Sequence, residues 1–148
     1  MNQQLRQDAD RIIADAIHAV LPDQAVIRAL DAASFPGRIR LVAAGKAAWQ
    51  MAQAASKTLG DSLECGVICT KYGHCGGKLP KITCCEGGHP IPDENSLRAT
   101  DAALSLVQGL TAQDTVLFLL SGGGSALFEK PLIPLQELQD ITQQLLAS

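Results

Sequence analysis

The chain has 148 residues, 47% of them hydrophobic and 18% charged, enough for one domain with a real core and typical of a soluble globular protein. Its net charge of −3 is spread along the chain, which excludes the basic stripe of a nucleic-acid binder. No apolar run reaches the roughly 20 residues that span a bilayer, and the start, MNQQLRQDADRII, has acids where a signal peptide has a basic region, so a cytoplasmic location is expected.

Residues 3–21 predict an amphipathic helix, with Leu5, Ile12, Ile13, Ala16, Ile17 and Val20 near helical spacing; Asp8, Asp10 and Asp15 fall on its solvated face. Pro22 interrupts it, and a short second helix is expected from Gln24 to Ala32. Phe35-Pro36-Gly37 is a turn signal. Residues 38–45, RIRLVAAG, read as a buried strand that runs through a glycine into a helix over 46–59, closed by Gly60. Trp49 and Met51 on that helix are expected in the core. A second strand is expected at 65–70, then a glycine-rich loop, then a third strand at 81–88. The prolines of His89-Pro90-Ile91-Pro92 keep that stretch extended. Asp93 is placed to cap a helix running to about Gln108 and ended by Gly109. TVLFLL, residues 115–120, is a further strand, SGGGSAL follows at once, and residues 135–148 have the periodicity of a last helix. Strands alternating with helices predict an α/β domain, three-layered around a mostly parallel sheet.

Aromatic residues are 3% of the chain, so Leu, Ile, Val and Ala must build the core. Five cysteines, Cys65, Cys69, Cys75, Cys84 and Cys85, fall in one short stretch. Their odd number and the lack of a C-x-x-C pair argue against a disulfide framework or a zinc ribbon. Buried, reduced thiols and no metal site are expected.

Ligands of open parallel sheets bind outside the carboxyl ends of the strands. Three glycine-bearing segments fall there: AAGKAA, TKYGH and SGGGSA. In the last, Gly122, Gly123 and Gly124 let backbone N–H groups approach an anion, with Ser121 and Ser125 as hydroxyl donors; the other reading is a tight turn that merely needs glycine. Ser125 does not fit a hydrolase elbow, because Leu127 stands where G-x-S-x-G has its last glycine. Gly45-Lys46 places a cation at the first strand–helix junction, either reaching an anion or solvated at the surface. It is no phosphate-binding P-loop, having Arg40 for the leading glycine and Ala47 for Ser or Thr. Lys71 and His74 lie beside Gly73. His89 can serve as a general base or as a structural hydrogen-bonding residue. Asp93 reads as a cap rather than a magnesium ligand. Glu86 carries no role legible in the sequence.

LVAAGKAAWQMA (41–52), GVICTKYGH (66–74), GGHPIPDENS (87–96) and LLSGGGSAL (119–127) together resemble the glycerate 2-kinase family whose members carry a C-terminal MOFRL-type domain, often labelled hydroxypyruvate reductases. The resemblance covers essentially the whole chain. It implies a Rossmann-like α/β domain and ATP-dependent phosphorylation of the 2-hydroxyl of D-glycerate to 2-phosphoglycerate, with a divalent metal such as Mg2+. It implies a catalytic role for Lys46, and glycerate carboxylate or phosphate binding by Ser121, Gly122, Gly123, Gly124 and Ser125. Gly45, Lys71, His74, His89 and Asp93 sit in matching motifs without settled roles. Members run to roughly three times this length, more than one domain holds. Residues 1–148 are thus expected to be the N-terminal part of the first domain, without the MOFRL-type domain, and catalytically inactive alone.

Two other readings compete. An NAD(P)H-dependent hydroxypyruvate reductase needs a glycine fingerprint after a strand, which AAGKAA does not supply, and failure to bind NADH or NADPH would sink it. A non-catalytic binding module predicts ligand binding without turnover. A half-built domain face would leave a large apolar patch, so a homodimer is expected.

Overall fold

The computed structural model describes residues 3–148. Two helices lead, α1 (Gln3–Ala19) and α2 (Pro22–Asp31), followed by β1 (Ile39–Ala44) and α3 (Ala48–Leu59). A 3-10 turn, Gly60–Ser62, leads into β2 (Leu63–Lys71), and β3 (Ile82–Gly87), α4 (Glu94–Leu106) and β4 (Thr115–Leu120) follow. The last elements are a single helical turn, α5 (Gly124–Leu127), and α6 (Leu135–Ala147).

The strands form one parallel sheet in the order β3-β2-β1-β4. This confirms the expected α/β class, and the order is that of the first four strands of a doubly wound Rossmann sheet. Both faces of β1 are covered, as its unbroken apolar run requires. Leu41 and Ala43 pack toward α2 and α3 with Leu30, Ala52, Ala55 and Ile68, while Val42 and Ala44 pack toward α4 with Val67, Cys69, Ala99 and Ala103. Alanines at the α3 interface let the helix lie close on the sheet. Leu41 is fully buried, so truncating it to Ala removes about 2–5 kcal/mol.

α4 begins as its sequence dictates. Asp93 Oδ1 accepts from the Ser96 N–H at 2.9 Å and the Ser96 hydroxyl pairs with the Asp93 N–H at 3.2 Å, a reciprocal capping box.

Two expectations change, those for Trp49 and Met51 and for the thiols, and two features of α1 and β4 lie beyond what the sequence states. The apolar stripe of α1 is amphipathic as predicted but buries no residue, because nothing in the described chain packs on it. Trp49 and Met51 are half-buried, packing against the rim of the core rather than inside it. Of the five thiols only Cys69 is buried; the other four are partly exposed, Cys65 near the start of β2 and Cys75, Cys84 and Cys85 on the edge strand β3 and the loop before it. β4, the most apolar strand, is an edge strand, with Leu120 62% exposed.

Candidate functional site

β1 and β4 end level with one another, while β2 continues past them to Lys71. Ala44 is in register with Cys69 on one side and Leu120 on the other, so Gly45, Thr70 and Ser121 emerge side by side. Chain connection reverses direction here, β1 leading outward to β2 and β3 before the chain returns to β4. The gap between the ends of β1 and β4 is therefore the switch point at which open α/β sheets bind ligands.

Backbone hydrogen bonds knit the two segments at that gap. The Ser121 N–H donates to Ala44 O at 2.9 Å, the Lys46 N–H to Gly122 O at 2.9 Å, and the Ala47 N–H to Ser121 Oγ at 3.0 Å. Gly45 has φ of +115°, and a Cβ there would stand 2.3 Å from Ser121 Oγ, so only glycine fits. Thr70, which the sequence reading passed over, is buried and donates its hydroxyl to Gly45 O at 2.9 Å. Its signal was a hydroxyl at the end of an apolar run.

Gly123, with φ of +83°, is where the predicted residues meet. A Cβ on it would lie 2.7 Å from His89 Nε2 and 3.2 Å from Lys46 Cε. Lys46 and His89 thus approach one point from distant parts of the sequence. Among the described residues no acceptor engages the N–H groups of Gly122, Gly123 and Gly124. The turn that follows is one turn long, so these amides, rather than the dipole of a long helix, carry the capacity for an anion. Ser125 is exposed on that turn.

His74 joins from the loop after β2. Its Nδ1 lies 2.9 Å from Lys46 O; a carbonyl only accepts, so Nδ1 carries the proton. Glu86 fixes this loop, its Oε1 accepting from the N–H groups of His74 at 3.0 Å and Cys75 at 2.8 Å. That role was invisible in sequence, since it depends on β3 lying beside β2. Lys71 ends β2, and its carbonyl accepts from the His74 N–H at 3.1 Å.

Burial pushes the His89 imidazole below its ordinary 6.5, and the positive charges of Lys46 and Lys71, with His74 beyond them, push the same way. His89 is therefore neutral at neutral pH, with one ring nitrogen free to accept a proton. Asp93 does not join this cluster. Its carboxylate accepts from Tyr72 Oη at 2.7 Å and caps α4. Burial raises its pKa, but the hydrogen bonds from Tyr72, Ser96 and Gly88 outweigh burial and hold it below 3.8. Among the described residues no three His, Cys, Asp or Glu side chains gather closely enough to hold a metal ion.

Sheet order and switch point define an open-sheet, Rossmann-like α/β domain in which Lys46 and His89 meet at Gly123, beside the ends of β1 and β4. Within that class the chain belongs to the family described as "Domain of unknown function (DUF4147)", which it matches over residues 8–148. It is 48% identical to the D-glycerate 2-kinase of Thermotoga maritima over 99% of this chain and 35% of the relative. It is 39% identical to the glycerate 2-kinase of Pyrococcus horikoshii over 97% of this chain and 35% of that one. The crystal structure of glycerate kinase from Thermotoga maritima superposes with a TM-score of 0.91 at 47% identity, over 99% of this chain and 36% of that chain. The resemblance drawn from four motifs is thereby confirmed, and the chain spans about a third of the length of the relatives it matches. No helix of the described residues is long and apolar enough to cross a membrane.

Proposed function

We propose that this chain forms one wall of a glycerate 2-kinase site, serving ATP-dependent phosphorylation of D-glycerate at its 2-hydroxyl to give 2-phosphoglycerate. The observation that carries the reading is the meeting of Lys46 and His89 at Gly123, within a cradle of unengaged glycine amides. The amides of Gly122, Gly123 and Gly124 hold a carboxylate or phosphate oxygen, with Ser121 fixing the loop. Lys46 neutralises charge on the phosphoryl group as it transfers. His89, neutral and next to that point, accepts the proton of the attacking hydroxyl.

The residues present do not fit a Mg2+ holder. Asp93 spends its oxygens on Tyr72 and Ser96, Glu86 commits Oε1 to the N–H groups of His74 and Cys75, and among the described residues no three His, Cys, Asp or Glu side chains gather to hold a metal ion. No step is routed through a metal on this chain; in this reading the remainder of the kinase supplies those ligands, along with the opposite wall.

A coupled assay for ATP-dependent D-glycerate phosphorylation tests the reading. It is run on the chain alone and then with the remaining portion of a full-length relative. Turnover only in the second case is expected. No turnover with a folded supplement would overturn the kinase assignment, and turnover by the chain alone would overturn its incompleteness.

A further inference from the structure

We propose that Cys75 and Cys84 form a redox modification site, joined by a low-molecular-weight disulfide reagent into an intramolecular disulfide that staples the glycine-rich loop to β3. The inference rests on thiol placement and is independent of the kinase reading.

Cys75 lies in the loop between β2 and β3, and Cys84 lies within β3. The loop turns back on itself through an antiparallel bridge between Leu79 and Ile82. That turn brings both thiols to the wall of one cavity of about 300 Å³, shared with Ile68, Gly77, Leu79 and Ile82. Both side chains line that one cavity, Cys75 from the loop and Cys84 from the strand. Glu86 fixes the Cys75 backbone at 2.8 Å, and Cys75 Sγ lies 3.7 Å from Gly77 O.

The other thiols are arranged differently. Cys69 and Cys85 are register partners on β2 and β3, but on the opposite face of the sheet, packed under α4. Cys69 is fully buried, and that burial pushes its thiol up to about 12, so it resists both access and ionisation. Cys84 and Cys85 are strand neighbours whose side chains alternate faces, which keeps them from pairing. Cys75 is thus the sulfur a reagent meets first, and Cys84, raised by burial, is the resolving thiol.

Cys75, as thiolate, attacks one sulfur of the reagent and releases the other half as a thiolate. Cys84 then loses its proton and attacks the Cys75 sulfur, releasing the second half. The two protein sulfurs give up two electrons, which reduce the reagent's S–S bond to two thiols that carry away both protons. The new bond fixes the residue next to His74, and hence the His74 contact to Lys46 O.

The test treats the full chain with oxidised glutathione, alkylates remaining thiols, and digests with trypsin. Cys75 then falls in the peptide of residues 72–78 and Cys84 in that of residues 82–98. The two peptides are expected as one cross-linked species, kept in Cys85→Ser. In Cys84→Ser, Cys75 is expected to keep glutathione as a stable mixed disulfide. A cross-link that survives Cys84→Ser and vanishes in Cys85→Ser would overturn the assignment. So would native chain carrying only mixed disulfides, or none.

Discussion

A Cβ on Gly45 would stand 2.3 Å from Ser121 Oγ, the atom that also accepts the Ala47 N–H at 3.0 Å. The two strand ends are therefore locked at a separation that only glycine permits. Gly45→Ala adds positive-φ strain of about 1–3 kcal/mol and forces Ser121 away. The expected result is a lower urea midpoint with unchanged slope. An unchanged midpoint would mean that the loops separate without cost.

At Gly123 the obstacle is functional. Gly123→Ala drives a methyl toward His89 Nε2 and Lys46 Cε, so glycerate phosphorylation in the supplemented assay is expected to fall while helical content is kept. Lys46→Met is expected to lower the turnover rate on the order of 10²-fold, the cost of removing one charge-stabilising donor. Circular dichroism distinguishes loss of function from loss of fold in each variant.

His89 titrates below 6.5 because burial and the neighbouring cations disfavour its charged form. The unfolded chain then binds more protons as pH falls through the ordinary histidine range, so the group stabilises the fold above that range and ceases to do so below it. An NMR titration of His89 is expected to give a midpoint under 6.5, and Lys46→Met is expected to move it upward, though not fully back, since burial remains the larger cause.

Asp93→Ala removes a helix cap and should cost about 1 kcal/mol at neutral pH. Its carboxyl is held below 3.8, so the stability it lends is present above the unfolded pKa and is lost as pH falls through the folded one. The gap between native and variant unfolding free energies is expected to shrink in acid. A gap that stays constant with pH would remove the carboxylate from the cap.

The stripe Leu5, Ile12, Ile13 and Ile17 on α1, Val20 just after it, and the residues Ile141, Leu145 and Leu146 on α6 remain exposed. Self-association of the chain at micromolar concentration is expected, reduced by Ile12→Lys with Ile17→Lys. Light scattering that gives a monomer mass for the native chain would count against it.

Much of this arrangement is legible locally. An apolar run ending at Gly45, another ending at Ser121, and Asp93 three residues ahead of Ser96 each declare a strand end or a cap without reference to the rest of the chain. The roles of Glu86 and Thr70 do not, because each arises only once β2 lies between β1 and β3. The period of α1 tells which face is apolar, but not whether anything covers it. Strand order is equally silent in sequence: TVLFLL has the composition of a central strand and takes the edge. Alternation along β3 places Cys84 and Cys85 on opposite faces, yet only the fold of the loop decides that Cys75 stands by the first of them.

Trp49 is the chain's single tryptophan. Its indole N–H donates to Gly77 O at 2.9 Å, and its ring lies so close to Gly76 that a Cβ there would sit 2.7 Å away. The helix leaving the Lys46 junction and the loop bearing His74 and Cys75 are thus joined through the one strong fluorophore of the molecule. Lifting of that loop would wet the indole and red-shift its emission, so a disulfide that staples the loop to β3 has an optical readout that requires no label.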